Sequence, residues 1–312
     1  MGTFAMVFPG QGSQSVGMLD AWGDHPAVRR TLAEASQALN EDVAALIHGG
    51  PKEALDLTTN TQPVMLVAGV AAYRAWLAEG GPAPAALAGH SLGEYSALVA
   101  SGALTLADAL PLVRFRAQAM QEAVPVGAGA MAAVLGLDAT VVRDVCAQSQ
   151  AATGECVEAV NFNDPKQTVI AGTKAAVEHA MAALKAAGAK RALPLPVSAP
   201  FHSSLMKPAA DRLRVRLANV AFATPSIPVV NNIDVAVLQD RRGLEDALVR
   251  QASGPVRWVE VVQALRDRGC TTIVECGPGK ALTGMVKRID ANLGSMSVFD
   301  PATLAEAKGA LA

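Results

Sequence analysis

Between residues 130 and 197 the chain reads strand, helix, strand, strand, helix, strand, over 130–137, 139–149, 156–161, 167–171, 174–187 and 191–197. This order is the split-βαβ, ferredoxin-like pattern, and it can close on itself as a compact unit. On either side the rhythm differs. Residues 3–8 form an apolar strand that runs into the turn Pro9-Gly10-Gln11-Gly12-Ser13-Gln14. Helices follow over 25–39 and from Gln62-Pro63 to Gly80-Gly81, with proline tolerated in the first turn. A small-residue strand at 85–90 collides with Ser91 and a further helical pattern. Thr105-Leu106-Ala107-Asp108 then resembles a capping box, opening a helix to about 124, in which Pro111 predicts a kink. After 197 come a helix from 204, a strand at 227–231, helices at 244–251 and 256–268, a strand at 271–275 and a further helix. The expected fold class is α/β. A larger domain is built from both chain ends, 1–126 and 198–312, with a small ferredoxin-like domain inserted at 127–197.

Composition fits this layout and narrows the function. Alanine supplies 62 of the 312 residues while aromatics reach only 4%, which suits helices packed closely on a sheet rather than a β-sandwich. With 26 basic and 28 acidic residues the net charge is −2, and stacking rings are scarce, so a nucleic-acid binder is excluded. The four cysteines have no Cys-x-x-Cys spacing and the five histidines no metal-ligand interval, so neither a disulfide framework nor a metal is expected. The start of the chain lacks the basic, apolar character of a signal peptide. The longest uncharged apolar stretch, 63–73, is too short to span a bilayer, so the expectation is a cytoplasmic protein without a membrane role.

Chemistry concentrates at Gly89-His90-Ser91-Leu92-Gly93, a Gly-x-Ser-x-Gly sequence between a strand and a helix. That context is the nucleophile elbow: the glycines allow a sharp turn that exposes the Ser91 hydroxyl at a helix N-terminus. There the Leu92 amide can face a developing oxyanion. A serine needs a base. His90 is expected to point away from the Ser91 hydroxyl, His25 and His48 to sit in or near ordinary helical surface, and His179 to lie within the insert. His202, in a proline-stiffened loop, remains by exclusion. No acid follows it closely, so a backbone carbonyl could orient its ring. The Gln11 turn is the candidate for a second oxyanion amide. As a phosphate cradle it fails, because no Gly-x-x-x-x-Gly-Lys is present and Gly10-Gln11-Gly12 lacks the third glycine of a dinucleotide site.

Six separated stretches together resemble the malonyl-CoA:acyl carrier protein transacylases of bacterial fatty-acid synthesis. They are Phe8-Pro9-Gly10-Gln11-Gly12-Ser13-Gln14, Gly89-His90-Ser91-Leu92-Gly93-Glu94-Tyr95, Asn161-Phe162-Asn163, Leu195-Pro196-Val197-Ser198, Pro200-Phe201-His202 and Glu275-Cys276-Gly277-Pro278-Gly279-Lys280. The resemblance implies an α/β-hydrolase-like body carrying the ferredoxin-like insert. It implies Ser91 as nucleophile, His202 as its base, the amides of Gln11 and Leu92 as oxyanion hole, and the carbonyl of Gln251 as the orienter of His202. Arg116 matches the arginine that grips the malonyl carboxylate, a task suited to a guanidinium fork. Arg114 lies two residues away on the same helix, so only one of the pair can reach the pocket. Gln62 and Asn161 fall where the family lines its pocket, and Phe201 leans toward malonyl over methylmalonyl.

The implied reaction is ping-pong transfer from malonyl-CoA to the pantetheine thiol of an acyl carrier protein, by a monomer, with no cofactor, metal or ATP. An acidic carrier calls for a basic docking face, for which Lys185, Lys190 and Arg191, or Lys280, Lys287 and Arg288, are candidates. A serine esterase, an excised polyketide acyltransferase domain and a non-enzymatic carrier scaffold are the alternatives. An esterase has no use for a buried arginine at the acyl pocket, and a scaffold does not need Ser91 and His202 together.

Overall fold

The computed structural model describes residues 3–197 and 199–311. The chain begins with β1 (Thr3–Phe8), α1 (Pro26–Leu39), α2 (Val43–Gly49), α3 (Lys52–Leu55), α4 (Thr58–Ala78), β2 (Ala86–Gly89), α5 (Gly93–Ala100) and α6 (Leu106–Glu122). It continues through β3 (Gly129–Leu135), α7 (Ala139–Thr153), β4 (Val157–Asp164), β5 (Gln167–Thr173), α8 (Lys174–Ala186) and β6 (Arg191–Pro194). The last third holds α9 (Lys207–Leu217), β7 (Val229–Val230), α10 (Arg241–Ala252), α11 (Trp258–Asp267), β8 (Cys270–Cys276), α12 (Ala281–Ile289), β9 (Gly294–Val298) and α13 (Pro301–Leu311).

The result is a mixed α/β protein with a parallel sheet and a separate antiparallel one. The parallel sheet runs β7-β2-β1-β8-β9. Because side chains alternate along a strand, β1 feeds two cores. Phe4, Met6 and Phe8 pack with α4 and its neighbours, while Ala5 and Val7 pack with Trp258, Val262, Leu282 and Val286 of α11 and α12. Helix α4 is apolar on almost every side and is buried accordingly. The antiparallel sheet runs β4-β5-β3-β6. One face carries α7 and α8, through Val142, Cys146, Val177 and Leu184. Its other face gathers Met131, Val160 and Val169 against Leu195, Val197 and Phe201. The two halves are stitched where Val256 bonds Val160 and Phe162 through the main chain, at 2.8 and 2.9 Å.

Several boundaries differ from the sequence reading. Helix α4 starts at Thr58, so Pro63 lies in its second turn instead of its first. Helix α6 is a single element through Pro111, which forfeits only the bond to the Ala107 carbonyl. Thr105 caps it: its Oγ1 accepts from the Asp108 amide at 3.1 Å and donates to the Asp108 carboxylate at 2.6 Å. The helix expected from 204 begins at Lys207 after a short 3₁₀ turn, with Pro208 in its first turn. Strand β6 stops at Pro194, three residues early. No helix among the described residues is long and apolar enough to cross a membrane.

Candidate active site

Register sets two turns side by side. Phe8 of β1 pairs with Gly89 of β2, and the His90 amide donates to the Phe8 carbonyl at 2.9 Å. The Gln11 turn and the Ser91 turn therefore leave the same end of adjacent parallel strands. Ser91 sits at φ +51°, a left-handed conformation that a side chain adopts at a cost. The flanking glycines make the turn sterically possible. A Cβ on Gly89 would lie 1.9 Å from the Gly93 carbonyl carbon, and one on Gly93 would lie 2.1 Å from the Phe8 oxygen.

Ser91 Oγ and His202 Nε2 are 2.6 Å apart. His202 is buried, and its Nδ1 donates to the Gln251 carbonyl at 2.9 Å, which leaves Nε2 as the acceptor for the serine proton. Burial, reinforced by the charge of Arg116, pushes the His202 pKa down to about 3, so the ring rests neutral. The carbonyl stands where a triad would place a carboxylate. His202 itself has φ +66°.

Arg116 enters the same space from α6 and is only 2% exposed. Its Nη1 donates to Gln62 Oε1 at 2.6 Å, and its Nη2 to Gln251 Oε1 at 3.0 Å and to Ser91 Oγ at 3.4 Å. Its guanidinium lies 5.5 Å from the Tyr95 ring centroid, and its Nε finds no partner. Among the described residues no carboxylate lies within ion-pair distance of it. Arg114 faces away and is spent on Glu41 and Asn60. Gln62 Nε2 donates to Thr58 Oγ1 at 3.1 Å, and that hydroxyl donates to Gln11 Oε1 at 2.8 Å, linking the arginine to the first turn.

These groups surround a cavity of about 110 Å³, lined on its polar side by Gln11, Gln62, Ser91, Leu92, Arg116, Asn161 and His202. Asn161 Oδ1 is buried with no partner. The apolar wall is Met120, Met131, Leu195, Val197 and Phe201, so the helix-free face of the antiparallel sheet closes the cavity over the elbow. All eight residues singled out from the sequence converge here. Ser198, quoted in the fourth motif, lies outside the described residues.

The other histidines and basic residues named from the sequence make their bonds apart from the Ser91–His202 pair. His90 lines one wall of the cavity, and its ring bonds Asn163 Oδ1 at 2.8 Å and meets the edge of Trp258 rather than Ser91, in line with the sequence reading. His25 stands at the start of α1, where its Nδ1 accepts from the Ala27 amide at 3.2 Å and caps the helix. Arg288 bonds the buried Asp164 at 2.6 Å, tying α12 to β4, while its side chain stays 53% exposed, and the exposed Lys280 lies over the Phe299 ring.

Sequence reasoning passed over Glu94 and Asn232. Asn232 Oδ1 accepts from the Ser91 amide at 2.7 Å and its Nδ2 donates to the Gly89 carbonyl at 2.7 Å. Glu94, 3% exposed, accepts from the Asn232 amide at 2.8 Å and from Gln251 Nε2 at 3.0 Å. Burial pushes its carboxyl up to about 7, against the pull of those hydrogen bonds and of Arg116. The available signal was the polar pair Asn231-Asn232 ending a strand, and an acid three residues past the serine.

Comparison with known proteins agrees with this geometry. The acyl transferase domain family matches residues 5–298. The malonyl CoA-acyl carrier protein transacylase of Escherichia coli (strain K12) is 54% identical over 98% of this chain and 99% of its own. The crystal structure of an acyl-carrier-protein S-malonyltransferase from Burkholderia pseudomallei 1710b superposes with a TM-score of 0.97 at 64% identity, covering 98% of this chain and 99% of the other. A malonyl-transacylase solved in complex with a type II PKS acyl-carrier protein gives 0.97 at 50% identity, covering 99% of each chain. The chain belongs to the acyl transferase family, among the malonyl CoA-acyl carrier protein transacylases.

Proposed function

We propose that this protein transfers the malonyl group of malonyl-CoA to the phosphopantetheine thiol of an acyl carrier protein through a malonyl ester on Ser91. The observation that carries the reading is Arg116, a buried guanidinium with no ion pair among the described residues, 3.4 Å from the hydroxyl bonded to His202. Burying a cation is costly unless an anion meets it, and a free carboxylate on the acyl group is such an anion.

His202 Nε2 takes the hydroxyl proton as Ser91 Oγ attacks the thioester carbonyl. The tetrahedral oxyanion is received by the amides of Gln11 and Leu92. Its collapse breaks the carbon–sulfur bond, and the CoA thiolate leaves with the proton from His202. In the second half the carrier's thiol gives its proton to His202 and attacks the ester, and Ser91 recovers its hydrogen as it leaves. Each half exchanges a thioester for an oxygen ester, so the residues present suffice. Gln62 and Asn161 complete the polar wall, and Phe201 limits branching next to the acyl carbonyl.

The same reading describes an α/β-hydrolase-like body, residues 1–126 and 198–312, with a ferredoxin-like insert at 127–197. The β4-β5-β3-β6 order supports it. Lys185, Lys190 and Arg191 on one side, and Lys280, Lys287 and Arg288 on the other, are the basic residues offered to an acidic carrier. Intact-mass measurement after exposure to malonyl-CoA, acetyl-CoA and methylmalonyl-CoA tests the function. Wild type is expected to gain one malonyl group, methylmalonyl to load poorly, and Ser91→Ala to gain nothing. Malonyl uptake by Ser91→Ala would refute the assignment.

A further inference from the structure

We propose that Glu94 is a positioning residue for the nucleophile, its carboxylate anchoring two amide side chains that grip the Ser91 main chain from both sides. Asn232 holds the Ser91 N–H, at 2.7 Å, and Gln251 Nε2 holds the Ser91 carbonyl, at 3.0 Å. Both amides are tied to a single atom, Glu94 Oε2, which accepts from the Asn232 main chain and from Gln251 Nε2. The elbow needs such a hold because Ser91 is kept at φ +51°.

The anchor also reaches the base. Gln251 is the residue whose carbonyl orients His202, and its Oε1 faces Arg116. Since Gln251 Nε2 points at two acceptors, its amide can present only oxygen to the guanidinium. A carboxylate makes that preference firm, because it accepts and never donates, and its hydrogen bonds are the stronger for the charge. An ordinary reading of Glu94 is an acid stabilising the first turn of α5. The bonds run elsewhere: its two partners come from residues 232 and 251, outside α5. Keeping a carboxylate this far from water is expensive, and here it serves the reacting serine.

This inference rests on the acyl-transfer reading, and single-turnover loading followed by intact mass separates the two. Wild type that takes up no malonyl refutes the reading itself. Where wild type loads, Glu94→Gln keeps the shape and removes the charge. Its maximal loading rate constant is expected to fall at least tenfold for malonyl-CoA and acetyl-CoA alike. The half-saturating concentrations should stay within threefold and the final labelled fraction should match wild type. A wild-type rate constant, a lower labelled fraction with an unchanged rate constant, or a loss confined to malonyl would each overturn the proposal. In the double variant Glu94→Gln with Asn232→Ala the loss should not exceed that of the worse single variant, whereas multiplied losses count against a shared anchor. Should Glu94→Gln not fold, Asn232→Ala and Gln251→Met cut the arms singly. Each must then lower the acetyl loading rate constant, and wild-type rates in both overturn the proposal.

Discussion

Replacing Arg116 by alanine should convert a malonyl-selective site into one that prefers acetyl. The guanidinium is 2% exposed and held by two amide oxygens, Gln62 Oε1 at 2.6 Å and Gln251 Oε1 at 3.0 Å, so it is a fixed receptor. A carboxylate docking there exchanges water for a preorganised fork, and removing the fork leaves that carboxylate buried and unpaired. The cost is about 2–5 kcal/mol, or roughly 30- to 5,000-fold in malonyl kcat/KM. Acetyl carries no such group. Its loading should fall less than tenfold, through the weaker 3.4 Å contact of Arg116 with Ser91 Oγ and the loosened Gln251 amide. The assay is transfer of each acyl group from CoA to a carrier protein over a range of thioester concentrations, with circular dichroism as the control for folding. Arg116→Lys should fall between, since a point charge cannot bridge both amide oxygens and both carboxylate oxygens. Equal losses for malonyl and acetyl would refute the assigned role.

His202 has a folded pKa of about 3 against an ordinary 6.5, so its contribution, about 5 kcal/mol, is complete above pH 6.5 and lost as pH falls toward 3. Glu94 has the opposite sign: raised from 4.5 to about 7, its contribution of about 3 kcal/mol is complete below pH 4.5 and lost as pH rises through 7. Melting temperatures of Glu94→Gln should therefore decline on acidification from pH 6.5, relative to a wild type that holds level to about 4.5; parallel curves would contradict this. Gly93→Ala places a Cβ 2.1 Å from the Phe8 oxygen and should cost more than about 4 kcal/mol or prevent folding, so a denaturant midpoint near wild type would count against the close approach. Charge reversal at Lys190 or Arg191 should raise KM for the carrier protein with malonyl-CoA kinetics unchanged, and added salt should weaken wild-type transfer; salt independence removes these residues from the docking face.

What could be read from the chain follows the range of the forces involved. The elbow was legible because strand, glycines, serine and helix are contiguous, and His202 because few histidines competed. Arg116 was not separable from Arg114 by periodicity alone; only the resemblance chose between them, and the structure directs one to Gln62 and the other to Glu41. Glu94 and Asn232 escaped because their partners lie 138 residues apart, and such a bond exists only after folding. The missed C-terminal pair β9 and α13 had a local cue, Asp300 bonding the Thr303 amide at 2.7 Å just ahead of Pro301. Helix α4 was placed late because a proline in a second turn reads as a first turn. The eight site residues nonetheless line or support one cavity, and the residues that had no short-range signature are those that hold others in place.

The cavity has two builders. Ser91 and the Gln11 turn stand on the parallel sheet, while Met131 stands on the face of the antiparallel one against which Leu195, Val197 and Phe201 pack. Reaction and admission are thus written largely in separate stretches of sequence, which touch at Phe201 beside His202. Side chains on the antiparallel face can be resized to admit a bulkier acyl group while the elbow, its base and its amide clamps stay as they are. A lineage, or an engineer, can change what this protein carries without relearning how to carry it.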